Sequence, residues 1–176
     1  RFGGTASEMT LKALSASSVA GIMKATNPDV NMVSAPVIAK ERGVKISTTK
    51  QDQSGAFEGY IKVTVVTESR ERSIAGTVFN DGKPRFIQIK GINIDAEVGE
   101  NMVYTTNNDV PGIIGVLGSI LGTNSVNIAN FTLGRAEAKG EAIALLYLDE
   151  PLPAKAVAEL EGTGKFKQVK PLRFDI

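Results

Sequence analysis

The sequence predicts an α+β chain of two small domains, an antiparallel sheet with helices followed by a βαββαβ unit. Three observations carry this. Helical spacing of apolar residues runs as far as Gly43, and two-residue alternation replaces it from Val44. Past Gly99 the two periods alternate in the order of the split-βαβ, ferredoxin-like arrangement. Gly99-Glu100-Asn101 is the expected junction, dividing 1–99 from 100–176.

In the first domain, Met9, Ala13, Leu14, Ala16, Ala20 and Met23 predict a helix from Thr5 to Lys24, stopped by Asn27-Pro28. Ser17 and Ser18 inside it imply tight packing against a neighbour. A second helix is expected from Ser34 to Arg42, with Ser34 as cap, Pro36 in the first turn and Gly43 past the end. Strands follow at Val44–Thr48, Tyr60–Thr67, Ser73–Phe79, Arg85–Ile89 and Ile92–Ala96. Asn80-Asp81-Gly82 is the strongest short hairpin signal, and Arg70-Glu71-Arg72 reads as an exposed turn.

In the second domain Met102–Thr106 is a strand, and Pro111–Thr123 a helix with Ile113, Val116, Leu117, Ile120 and Leu121 inward. Gly115, Gly118 and Gly122 share another side of that helix, a spacing suited to close backbone approach at a cost in helix propensity. Ile128–Leu133 and Ala142–Leu148 are strands, the second so apolar that it belongs in the middle of the sheet. A helix over Pro153–Glu161 stops at Gly162-Thr163-Gly164, and Phe166–Phe174 is the last strand.

Composition removes several function classes. Lys and Arg number 20 against 19 Asp and Glu, so no charge excess recruits nucleic acid or an acidic membrane, and neither is an expected partner. No apolar run approaches the ~18 residues that span a bilayer. Without Cys there are no disulfides, thiol catalysis or Cys-based zinc sites, which suits a cytoplasmic protein. Without His the commonest general base and metal ligand are both missing. The chain starts at Arg1, its first Met is Met9 and no signal-peptide layout precedes it; a piece of a longer polypeptide is expected.

Motifs for chemistry are equally sparse. Gly112, Gly115 and Gly118 stand as G-x-x-G-x-x-G rather than the dinucleotide fingerprint, and Gly162-Thr163-Gly164-Lys165 lacks P-loop spacing. No G-x-S-x-G elbow exists. No catalytic residue and no metal site is expected here.

Binding chemistry is concentrated in Asn107-Asn108-Asp109-Val110-Pro111-Gly112-Ile113. A strand ends there, Asp109 turns the chain, and Pro111 opens a helix whose bare N-terminus attracts anions. Amides at Val110, Gly112 and Ile113 suit a carboxylate, and Asp109 suits an ammonium or hydroxyl group. Asn127 and Ile128 start the strand leaving that helix, at its opposite end, so Asn127 meets Asp109 only when two copies pair edge to edge. A plainer reading leaves Asp109 as a cap, Asn107 and Asn108 as turn formers and Asn127 as a strand start. Lys83 and Arg85 beside the hairpin offer an anion site, or simply a solvated turn.

Asp109-Val110-Pro111-Gly112-Ile113-Ile114-Gly115, Leu121-Gly122-Thr123 and Val126-Asn127-Ile128-Ala129 together resemble an ACT domain, the amino-acid-sensing βαββαβ module. Glu58-Gly59-Tyr60, Ser73 to Phe79 and Pro84 to Gly91 are similar to the intervening domain that precedes it in long D-3-phosphoglycerate dehydrogenases. Asn31 to Pro36 and Ala39 to Gly43 share that similarity, which extends over essentially the whole chain. The resemblance implies upstream catalytic domains that oxidise 3-phosphoglycerate with NAD and a His–Glu pair at the entry to serine biosynthesis. It implies L-serine held between two subunits by Asn107, Asp109, Asn127 and the amides from Val110 to Ile113. It also implies self-association through ACT domains, and an anion site at Arg85. A pure oligomerisation module, or the regulatory part of another serine-metabolising enzyme, stands as the alternative.

Overall fold

The computed structural model describes residues 2–4, 11–51, 59–138 and 140–176, and it divides into two compact units, Arg1–Val65 and Val66–Ile176. The first unit holds β1 (Phe2–Gly4), α1 (Leu11–Lys24), α2 (Ala35–Glu41), β2 (Lys50–Gln51) and all but the last residue of β3 (Gly59–Val66). β1 runs parallel to β2 and antiparallel to β3. Of the helix expected from Thr5, residues 5–10 lie outside the described residues.

α1 and α2 meet through Ala20, Met23, Val30, Ala35 and Ala39, a core of mostly small side chains. Ser17 is not buried in that contact, and the half-buried Ser18 donates from its hydroxyl to the Leu14 carbonyl one turn back at 2.8 Å. Nor does Ser34 cap α2 through its side chain. Asn31 does the work ahead of it: its Oδ1 accepts from the amides of Val33 at 2.9 Å and Ser34 at 3.0 Å. Gly43 stands past the end at φ 72°, as a left-handed terminator does. The strand expected at Val44–Thr48 does not form; regular pairing begins only at Lys50. Val44 and Ile46 stay exposed, so their β propensity finds no pleated surface to pack on.

The second unit begins with an antiparallel meander, β4 (Glu71–Val78), β5 (Pro84–Ile89) and β6 (Ile92–Glu97). Glu71 and Arg72 belong to β4, and the turn before it is closed by Thr67, whose hydroxyl accepts the Arg70 amide at 3.1 Å. The Asn80-Asp81-Gly82 hairpin is present. Its positive φ falls on Gly82 alone, at 78°, so it is a turn followed by a left-handed glycine rather than a two-residue type I′ loop. The type I′ loop is the next one, where Lys90 at φ 54° and Gly91 at φ 81° join directly paired Ile89 and Ile92.

There follow β7 (Asn101–Asn108), α3 (Ile113–Thr123), β8 (Ile128–Arg135), β9 (Glu141–Leu148), α4 (Ala154–Gly162) and β10 (Phe166–Arg173). The expected βαββαβ order holds. The sheet runs β10-β7-β9-β8, all antiparallel, with β9 inside as its apolar run requires. On one face Ile113, Leu117 and Leu121 of α3 and Leu160 of α4 pack against Val103, Ala144, Leu146 and Leu148. On the other, Ile92, Ile94 and Ala96 of β6 pack against Met102, Ile143 and Leu145. Residues of β9 alternate between these two cores, which is why the strand is apolar throughout. Gly99-Glu100-Asn101 lies within this second unit, where β6 leads into the first residue of β7, and β6 shares a core with the sheet that follows. No helix among the described residues is long and apolar enough to cross a membrane.

Candidate functional site

The end of β7, the loop 109–112, the start of α3 and the end of β8 enclose a cavity of about 400 Å³, within the range of small-molecule sites. Asn107, Asp109, Val110, Pro111, Gly112 and Ile113, all expected from sequence, line it. Ile114, Gly115, Leu133 and Arg135 complete the wall. Asn127 and Ile128 are not brought there. Asn127 donates from Nδ2 to Asp149 Oδ2 at 2.5 Å, and Ile128 packs on the core beneath the helices. Both lie beyond the far end of an 11-residue helix, roughly 16 Å along its axis.

The helix entry differs from the expected one. Pro111 is outside α3, and its N-cap is Gly112 at φ 88°, a conformation that glycine adopts and side-chain-bearing residues resist. Space is not the constraint, since a Cβ there would meet nothing within 4 Å. Gly112 itself supplies no side-chain cap, and Asp109 is engaged by β8. Its Oδ2 accepts from Arg135 Nη1 at 3.1 Å, while its backbone amide donates to the Gly140 carbonyl at 2.9 Å. The first-turn amides of α3 have no intrahelical acceptor, and the residues that carry them line the cavity.

Asn107 is 2 % exposed. Its Nδ2 donates to the Asn108 carbonyl at 2.6 Å, and its Oδ1 is buried with no hydrogen-bond partner among the described residues. A buried acceptor without a donor is costly, and such exceptions mark places where something else supplies the bond. The cavity wall thus offers acceptors, Asn107 and Asp109, beside donors, Arg135 and the α3 amides.

Arg135 joins the cavity from outside the contiguous stretch. Register explains its position: Arg135 pairs with Ala142 and Ala142 with Asn107, so the three form one row across β8, β9 and β7. All three point to the helix face, with the small Ala142 between the two long side chains. Only the strand order reveals this, and no local motif around Arg135 announces it.

Lys83 and Arg85 are placed together but among acids. Arg85 lies 3.1 Å from Asp81, 3.5 Å from Asp95 and 3.8 Å from Glu97, and stacks over the Phe79 ring at 4.7 Å. Lys83 Nζ contacts Glu97 at 2.7 Å. The Lys83 backbone amide and then Arg85 hold the Asp81 carboxyl below its usual range, and the hydrogen bond to Glu97 raises Lys83. Three carboxylates surround two cations, a charge-compensated cluster.

Residues 1–90 match the family model of the D-3-phosphoglycerate dehydrogenase intervening domain. The chain is 34% identical over 79% of its length to a D-3-phosphoglycerate dehydrogenase of Synechocystis, covering 25% of that protein. It is 32% identical over 97% of its length to the enzyme of that name from Bacillus subtilis, covering 33% of it. A Mycobacterium bovis protein of the same name is 32% identical over 81% of the chain, with 28% of that protein covered. The chain spans a quarter to a third of the length of these relatives.

Proposed function

This chain belongs to the family of the D-3-phosphoglycerate dehydrogenase intervening domain, and on that footing we propose that it is the regulatory portion of such an oxidoreductase. The proposed parent is a cytoplasmic, NAD-dependent enzyme at the first step of L-serine biosynthesis, with the catalytic domains upstream. The region 100–176 is proposed to act as its ACT domain, pairing with a second copy and holding an amino-acid effector, L-serine, at the join.

One observation supports this reading above the others: the orphaned acceptor of Asn107, the carboxylate of Asp109 and the uncapped start of α3 share one small cavity. A zwitterion matches that division of donors and acceptors. The serine carboxylate goes to the helix end and its ammonium to Asp109, with the hydroxyl reaching Asn127 of a second copy. An effector of this kind regulates only by its preference for one arrangement of the subunits. The charge-compensated surroundings of Lys83 and Arg85 give less support to an anion site there.

Calorimetric titration of this chain with L-serine, glycine and L-alanine tests the reading. Serine binding that is lost in Asp109→Ala supports it; a wild-type chain that binds no amino acid ends it. A second reading, a self-association module without effector, is favoured by the bare glycine stripe of α3. A Cβ on Gly115, Gly118 or Gly122 would meet nothing within 4 Å, so that surface is uncovered in the chain. That reading expects dimers by light scattering and no thermal shift with any amino acid.

A further inference from the structure

We propose that Arg135 is the specificity-determining residue of this cavity: its guanidinium exchanges Asp109 for the α-carboxylate of an amino acid whose ammonium takes its place on Asp109. The inference rests on the amino-acid reading above and adds a residue and a selection rule to it.

The argument starts from what each group can accept. Asn107 Oδ1 is a buried acceptor with no donor among the described residues, so it calls for an N–H or O–H and repels a carboxylate. Asp109 calls for the same, and in this structure Arg135 supplies it at 3.1 Å. The amides of the first α3 turn call for an anion. A cation alone would compete with Arg135 for the Asp109 carboxylate, loosening that guanidinium's hold on it. An anion alone would satisfy the helix end and leave Asn107 unpaired. A molecule carrying both charges on groups borne by one carbon serves every group at once, because the displaced guanidinium receives its carboxylate.

Arg135 is placed for that exchange. Its side chain is 57 % exposed and that of Asp109 25 %, so the pair is a solvent-screened one that holds weakly and exchanges readily. Both ends of the exchange lie within the same cavity wall. The planar fork of an arginine also suits a carboxylate better than a lysine would.

The experiment compares L-serine with ethanolamine, which is serine without its carboxylate, on the wild-type chain and on Arg135→Gln, by calorimetric titration. For serine the substitution removes a charge-assisted contact and is expected to weaken binding about tenfold. For ethanolamine it removes the competitor for Asp109, so binding is expected to hold or tighten. Opposite responses of the two probes establish the exchange. Equal responses, or no change for either, overturn it while leaving the effector reading intact. Absence of serine binding to the wild-type chain takes down both. Arg135→Lys, which keeps the charge and loses the fork, is expected to fall between the two for serine.

Discussion

A Cβ placed on Gly134 would stand 2.7 Å from the carbonyl oxygen of Asn93. Gly134 of β8 lies directly against the backbone of β6, and the closeness of the meander to the βαββαβ sheet depends on the missing side chain. Gly134→Ala is therefore expected to force these elements apart, at a cost of about 1–3 kcal/mol. A lowered urea midpoint checks it.

Gly118 presents the opposite case. It sits in α3 with nothing within 4 Å of a Cβ, so Gly118→Ala is expected to add about 1 kcal/mol through helix propensity alone. The same variant reads the glycine stripe as a contact surface. Sedimentation that shows weaker self-association despite a raised melting temperature would identify the stripe as the join between copies.

Glu141 accepts from Lys90, and that hydrogen bond, followed by the Lys90 charge, holds its carboxyl below the ordinary 4.5. A carboxyl lowered in the native state stabilises it fully above the unfolded value and loses that contribution as pH falls through the lowered one. Acid unfolding of Glu141→Gln should accordingly show a flatter limb than the wild type below about pH 4.5. Asp81, lowered by the Lys83 amide and Arg85, keeps part of the slope.

Tyr104 shows the alkaline counterpart. Burial, with help from the Glu141 charge, pushes its phenol up from 10.0 to about 12. Stability is then whole below pH 10 and declines as pH rises towards 12, because the unfolded chain releases that proton first. Its hydroxyl is also buried with no hydrogen-bond partner among the described residues. Tyr104→Phe is expected to delete the late tyrosinate absorbance step and to stabilise the fold by up to about 1 kcal/mol.

Periodicity made the βαββαβ unit legible, down to the inward set of α3 and the interior place of β9. It failed where a partner outside the window decides the outcome. Val44 and Ile46 have strand chemistry but no sheet to join, so their segment stays irregular. Asp109 reads locally as a cap, yet a guanidinium 26 positions on claims its carboxylate. The acids beside Arg85 are hidden in the same way, because Asp95 and Glu97 come from the adjacent strand. The stretch from Asn107 to Ile113 stands out in the sequence and, apart from Asn108, lines the cavity, whereas only strand register puts Arg135 in the row of Asn107.

The turn at Lys90-Gly91 shows a local preference overruled by a distant one. An asparagine at position 90 would suit the left-handed backbone of that loop better than the lysine at φ 54° does. The lysine reaches across to Glu141 on the neighbouring sheet. A change that improved this hairpin in isolation would sever the bond between the layers, so the tip is a point of retained frustration, tuned for its neighbour at its own expense.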